Sequence, residues 1–270
     1  MNMRLSVSNL AWGPALQGPA LALLARMGVE GVEVAPTRIA GWEAITPALL
    51  RQFRADLAAA GLRSSSLQAI FYGCPQAQLL GDAAGFAAMS EHCRRVAAIA
   101  AELGSGVAVF GAPRNRARGD QLMADALALA GERLHALGDI VQPAGLVLGM
   151  EPVPAHYASD FLMRASEAAA LVRAVDHPAI RLHLDTGCVM LGGDSIGAAI
   201  VQDAPLLAHM HMAEPDLAGF AAPVADHVGA SAALRRIGYA GWLAIEMREV
   251  EGRALAEVET AVAFARATYF

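Results

Sequence analysis

Hydrophobic and polar positions along the chain alternate between two patterns. A short apolar run is followed by a longer stretch in which apolar residues recur every three or four positions. The apolar runs begin near residues 3, 31, 66, 106, 146, 180, 207 and 242. Stretches of helical period follow them over about 19–27, 46–60, 83–103, 120–141, 166–175, 196–202, 231–237 and 255–269. Punctuation agrees with this division: Thr46-Pro47 supplies a cap and a first-turn proline, and Gly28, Gly61, Gly104 and Gly238 sit where helices should close. Strands that alternate with helices imply a parallel sheet, and eight such units imply an α/β fold, a single (β/α)8 TIM barrel over residues 1–270. A doubly wound open sheet is the alternative, but no glycine-rich phosphate loop follows the first strand.

Within the runs, side chains alternate across the strand. His209 and His211 therefore share one face, with Met210 and Met212 on the other. Glu33 lies between Val32 and Val34, Glu151 follows Met150, Asp185 follows Leu184, and Glu246 follows Ile245. In a barrel of this class the chemistry gathers at the C-terminal strand ends. Glu33, Gln68, Glu151, His183, Asp185, His209, His211, Glu246 and Arg248 collect there. Singly, each has a plain explanation: Glu151 capping a turn, Asp185 accepting loop hydrogen bonds, Glu246 pairing with an arginine. Together, three carboxylates and one or two imidazoles at one mouth repel one another unless a cation is present. An oxygen-rich set with one nitrogen suits Mn²⁺, Mg²⁺, Co²⁺ or Zn²⁺ and does not resemble a thiolate zinc site.

Composition narrows the function classes. Hydrophobic residues make up 56% of the 270 positions and charged residues 17%, yet charged or glycine residues interrupt every apolar stretch before it could span a membrane. No signal peptide is visible at the N-terminus, and Cys74, Cys93 and Cys188 are too scattered for a disulfide framework, which points to the cytoplasm. A formal net charge of −6 excludes an electrostatic footprint for nucleic acid. One local basic cluster stands out, Arg114, Asn115, Arg116 and Arg118 after the fourth strand. Arg114, nearest the strand end, is the candidate contact for an anion, and Arg116 and Arg118 read as solvated loop charge. Trp12, after the first strand, could wall a sugar face or simply pack. His156 with Tyr157 and Asp226 with His227 read as loop residues near the mouth.

The ordered set Gly31-Val32-Glu33-Val34, Met150-Glu151-Pro152, Leu182-His183-Leu184-Asp185-Thr186-Gly187, His209-Met210-His211-Met212-Ala213-Glu214 and Gly238-Tyr239-Ala240-Gly241-Trp242 through Glu246 resembles the sugar-phosphate isomerase/epimerase family of xylose-isomerase-like TIM barrels. The resemblance extends over nearly the whole chain. It implies one divalent metal, Mn²⁺ first among the candidates, held by Glu151, Asp185, His211 and Glu246. It also implies that Glu151 and Glu246 act as an acid/base pair on opposite faces of a sugar or sugar phosphate, working through an enediolate. His209 would then support His211 from below. Glu33, Gln68, His183, Glu214 and Arg248 would line the substrate pocket, to which the reading of the loops above adds Arg114 and Trp12. Relatives of this kind assemble as dimers or tetramers, so a homo-oligomer is implied, with a small carbohydrate as partner and neither nucleic acid nor membrane.

Three positions depart from the ketose 3-epimerase pattern: Tyr157, Leu217 and Cys188 stand where that pattern has Glu, Arg and His. The same metal site would serve a dehydratase of a polyol-derived ketone, and a non-catalytic sugar-binding barrel is the reading from a different class.

Overall fold

In the computed structural model, which describes residues 3–270, eight parallel strands close into a barrel in chain order. They are β1 (Arg4–Ser8), β2 (Gly31–Val34), β3 (Arg63–Leu67), β4 (Val107–Phe110), β5 (Val147–Met150), β6 (Ile180–Asp185), β7 (Leu207–Ala213) and β8 (Trp242–Glu246), and β8 returns to β1. The helices among the described residues are α1 (Gln17–Arg26), α2 (Pro47–Ala59), α3 (Ala83–Leu103), α4 (Met123–Val141), α5 (Ala165–Val175), α6 (Thr186–Leu191), α7 (Ile196–Gln202), α8 (His227–Arg236) and α9 (Ala254–Tyr269). Residues 1 and 2 of the expected 1–270 barrel lie outside the described part.

The apolar core lies between barrel and helices. Val32, Val34, Leu148, Met150, Leu182, Leu184, Met210, Met212, Leu243 and Ile245 are fully buried there, each next to a polar or small residue facing the other way. The barrel interior differs from the usual filling of branched aliphatics. Ser6, Ser8, Glu33, Ser66, His183, His209 and His211 are all fully buried inside or beside it. Small neighbours make room for them: a Cβ on Gly149 would stand 3.0 Å from that of His183, and Ala244 pairs with His211. A register shift between Leu182 and His183 sets His183 opposite His209 and Asp185 opposite His211.

Four elements differ from the sequence reading by three residues or more, or by a whole helix. Between β6 and β7 there are two helices rather than one, because Asp185 caps α6 by accepting from the Cys188 N–H at 2.7 Å. Asp226 likewise caps α8, accepting from the Gly229 N–H, so α8 begins at His227 and these two residues are not a loop. Helix α4 starts at Met123, three residues later than its periodicity suggests, and β3 runs from Arg63 to Leu67, which leaves Gln68 just past its end.

Helix α6 is pinned to the end of β7 by one buried hydroxyl. Thr186 Oγ1 donates to the Ala213 carbonyl at 2.6 Å and accepts from the Ala213 N–H at 2.9 Å. Thr186→Val keeps the shape and removes both partners, so it is expected to cost about 1–3 kcal/mol for each group left unpaired. A fall of that size in the unfolding free energy from urea titration checks it, and an unchanged midpoint at the same slope would show that the two bonds contribute nothing net.

Candidate functional site

Four side chains converge at the C-terminal mouth. Glu151 follows β5 directly, Asp185 ends β6, His211 lies in β7 and Glu246 ends β8. Register sets their level: Asp185 is opposite His211, and Ala213, one pleat further on, is opposite Glu246. One ligand atom from each of Glu151, Asp185 and His211 can be chosen so that all lie within 4.8 Å of one another. His211 Nδ1 is 3.0 Å from Glu246 Oε2 and 3.6 Å from Asp185 Oδ2. Glycine at 111, directly after β4, leaves the space that the Glu151 carboxylate occupies, because a Cβ there would fall on that carboxylate and displace it.

The donor set fits a divalent cation. Asp185 Oδ2 is buried without a hydrogen-bond partner among the described residues, and His211 Nδ1 faces only the carboxylates of Glu246 and Asp185. Burial, then the charges of Asp185 and Glu246, push the Glu151 carboxyl up to about 8. Burial also raises Glu246. For His211, burial favours the neutral ring, but Glu33 and Glu246, with contacts from Asp185 and Glu246, outweigh it and hold the imidazolium well above its usual range. A proton and a cation thus compete for the same nitrogen.

Below this set lies a second layer. Glu33 Oε1 accepts from the Ser66 hydroxyl at 2.7 Å and from His209 Nε2 at 2.8 Å, while Glu33 Oε2 is 2.9 Å from His211 Nε2. Burial opposes ionisation of Glu33, yet the charge on His211 and the contacts from both imidazoles hold its carboxyl well below the usual range. With Nε2 facing a carboxylate, His211 presents Nδ1 upward, the arrangement that fixes the tautomer of a metal-binding imidazole. His183, whose ring nitrogens both lack hydrogen-bond partners among the described residues, is kept neutral by burial and by its two histidine neighbours, and its Nε2 is 4.0 Å from Glu151 Oε1.

A cavity of about 610 Å³ adjoins the cluster, with Glu151, His211, Glu246 and Gln68 in its wall and Arg114 further out. Five residues expected in that wall are elsewhere. Glu33 and His183 are sealed inside the barrel. Trp12 is a core residue whose indole N–H donates to Gln17 Oε1 at 2.9 Å. Glu214 is bound to His227 at 2.5 Å and to the Val224 N–H at 2.7 Å, which fixes the segment before α8. Arg248 is exposed, held by its backbone N–H on the Leu217 carbonyl at 3.0 Å. His156 is exposed beside Asp216 at 2.7 Å.

Arg116 is the largest departure. Expected as solvated loop charge, it is fully buried and donates from Nη2 to the Glu151 carbonyl at 2.7 Å. Its Nε and Nη1 have no partner among the described residues, and burial, opposed by the charge of Glu151, brings its pKa down to about 10. No periodicity marks it. Gly111, which precedes it in the same loop, is the nearest sequence signal that the backbone there passes close to the fifth strand end.

Two outcomes are expected. First, the raised Glu151 and His211 mean that the folded protein binds more protons than the unfolded chain between pH 7 and 9. Metal-free stability should therefore fall as pH rises through that window, and added Mn²⁺ should raise the melting temperature more at pH 9 than at pH 7. An equal Mn²⁺ shift at both values contradicts the shared site. Second, Gly111→Ala should displace the Glu151 carboxylate and weaken Mn²⁺ binding about 10–100-fold, the range seen when support around a metal ligand is disturbed. Its unfolding midpoint in chelator should stay close to that of the parent, and isothermal titration measures the affinity.

The chain is similar to several solved structures of the same fold. It superimposes on D-psicose 3-epimerase, determined in the presence of D-fructose, with a TM-score of 0.82 at 22% identity over 99% of both chains. For L-ribulose 3-epimerase the values are 0.82 and 18%, over 99% of this chain and 94% of the other. For the 3-keto-D-glucoside 4-epimerase of E. coli they are 0.81 and 18%, over 98% and 100%. No curated protein matches the chain. The profile of one family matches residues 21–268. By that match, on a closed barrel with its polar cluster at the C-terminal strand ends, the chain belongs to the xylose isomerase-like TIM barrel family.

Proposed function

We propose that the chain is a divalent-metal-dependent isomerase or epimerase of a keto sugar, working through an enediolate. One observation carries the reading: Glu151, His211 and Glu246 line a cavity large enough for an organic ligand, and Asp185 stands within reach of the same point as Glu151 and His211, its Oδ2 buried without a hydrogen-bond partner among the described residues. Three structurally similar proteins named as sugar epimerases support it. The barrel would act as a single catalytic domain.

Glu151, Asp185, His211 and Glu246 would hold the ion. Bound there, a divalent cation polarises a carbonyl and acidifies the adjacent C–H. Glu151 and Glu246 reach the cavity from β5 and β8, on either side of the strands that carry Asp185 and His211. One carboxylate would take the proton from the carbon beside the carbonyl, and the other would return a proton from the opposite side. Glu33 and His209 would keep His211 aligned, and Arg116 would fix the backbone of Glu151. Among the described residues no helix is long and apolar enough to cross a membrane. A small carbohydrate is the proposed partner, and the cytoplasm the proposed setting.

Glu151→Gln and Glu246→Gln are each expected to lower solvent deuterium incorporation into a turned-over ketose by about 10²–10⁴-fold. Both variants retaining full incorporation would sink the two-base assignment. A product with an enone absorbance, in place of an exchanged ketose, would instead identify water loss.

A further inference from the structure

The cavity that contains the polar cluster is much larger than the cluster needs, and its remaining walls are of a different character. A volume of about 610 Å³ lies within the range of sites that enclose drug-sized ligands. Beyond Glu151, His211 and Glu246 it runs between the β3–α3 and β4–α4 loops, past Ile70, Phe71, Cys74, Pro75, Val109 and Pro113. Asn115, also in this wall, spends both amide hydrogens on the carbonyls of Cys74 and Ala77, at 2.8 and 2.7 Å. It therefore braces the loop and has no donor left for a ligand. Ala69 and Ala112, one in each loop, hold φ of 51° and 27°. Neither is glycine, so both loops carry backbone strain where they border the cavity, as ligand-enclosing segments often do.

Gln68 and the exposed Tyr72 are the other polar side chains of this wall, but sugar hydroxyls placed against Phe71, Val109 and Pro113 would lose water without gaining side-chain partners, which is costly. A phosphate in the part of the cavity away from the polar cluster would find only one cationic side chain, Arg114, which is exposed at the rim. An apolar, planar group would lose nothing. Resting on the proposed keto-sugar chemistry, we infer that the natural substrate is a keto glycoside whose aromatic aglycone lies between the β3–α3 and β4–α4 loops. The sugar ring sits at the polar cluster, and Phe71, Val109 and Pro113 enclose the aglycone. Specificity then resides in the aglycone wall rather than in hydroxyl recognition.

The test is equilibrium binding by isothermal titration to the Mn²⁺-loaded protein. The probes are phenyl β-D-glucopyranoside, methyl β-D-glucopyranoside and D-fructose 6-phosphate, none of which needs to react. The phenyl glycoside is expected to bind at least about tenfold tighter than the methyl glycoside, the order that burying an aromatic ring supplies. Val109→Phe and Pro113→Trp, each checked for folding by circular dichroism, should narrow that ratio to about threefold or less by filling the same space. Equal affinity for the two glycosides overturns the inference, as does tighter binding of the sugar phosphate or a ratio unchanged in both folded variants. Deuterium exchange without an aryl preference would leave the epimerase reading standing and remove this one. An aryl preference without exchange would do the reverse.

Discussion

A carboxylate sealed inside the barrel sets the terms for what lies above it. Glu33 is fully buried and ionised, with a hydroxyl and two imidazoles around it. An isolated charge in that position would be prohibitively expensive, so the interior around it cannot be aliphatic. Ser66, His209 and His211 are the consequence, and the small residues Gly149 and Ala244 follow from the bulk of the imidazoles. Hydrophobic stabilisation is displaced outward to the layer between strands and helices, where Val32, Leu148, Met210 and Ile245 are buried. The barrel is thus an apolar shell around a polar shaft.

At the top of that shaft the same electrostatics produce a demand for positive charge. Glu151, Asp185 and Glu246 are brought together by three different strands, and parallel register gives them no means of separating. The metal-free protein meets the demand with protons, on Glu151 and on His211. Arg116 adds fixed positive charge beneath the Glu151 backbone. The carboxylates are therefore poised between two ways of being neutralised, which is the property a proton-transferring metal site needs.

The strand-borne part of this architecture was legible in the sequence, because period-two alternation fixes which side chains share a face. It placed Glu33, His183, Asp185, His209, His211 and Glu246 on one side of their strands without any tertiary information. It could not say how high in the barrel each residue lies. Glu33 and His183 were accordingly expected in the pocket, whereas register places them in the layer beneath it. Loops were read less well. Arg116 and Arg114 are two residues apart in a basic run, and only the path of the chain decides that one is buried and the other exposed. Trp12, Glu214 and His227 serve packing and loop bracing, roles that depend on partners far away in sequence. The start of α6 was missed although its cap, Asp185 three residues before Cys188, is a local signal. The Thr-Gly pair that follows reads equally well as a strand terminator.

Asp185 divides its two oxygens between different tasks. Oδ1 accepts the Cys188 N–H and begins a helix, while Oδ2 faces His211 with no hydrogen-bond partner among the described residues. Substitution at this position is therefore constrained twice over. Asparagine preserves the oxygen that starts the helix but turns the other into an amide that repels a cation. Glutamate keeps the charge but is one methylene too long to cap. On the proposed reading, asparagine here would leave the helix start intact and weaken the hold on a cation, so the fold and the metal site make separate demands on the two oxygens of one side chain.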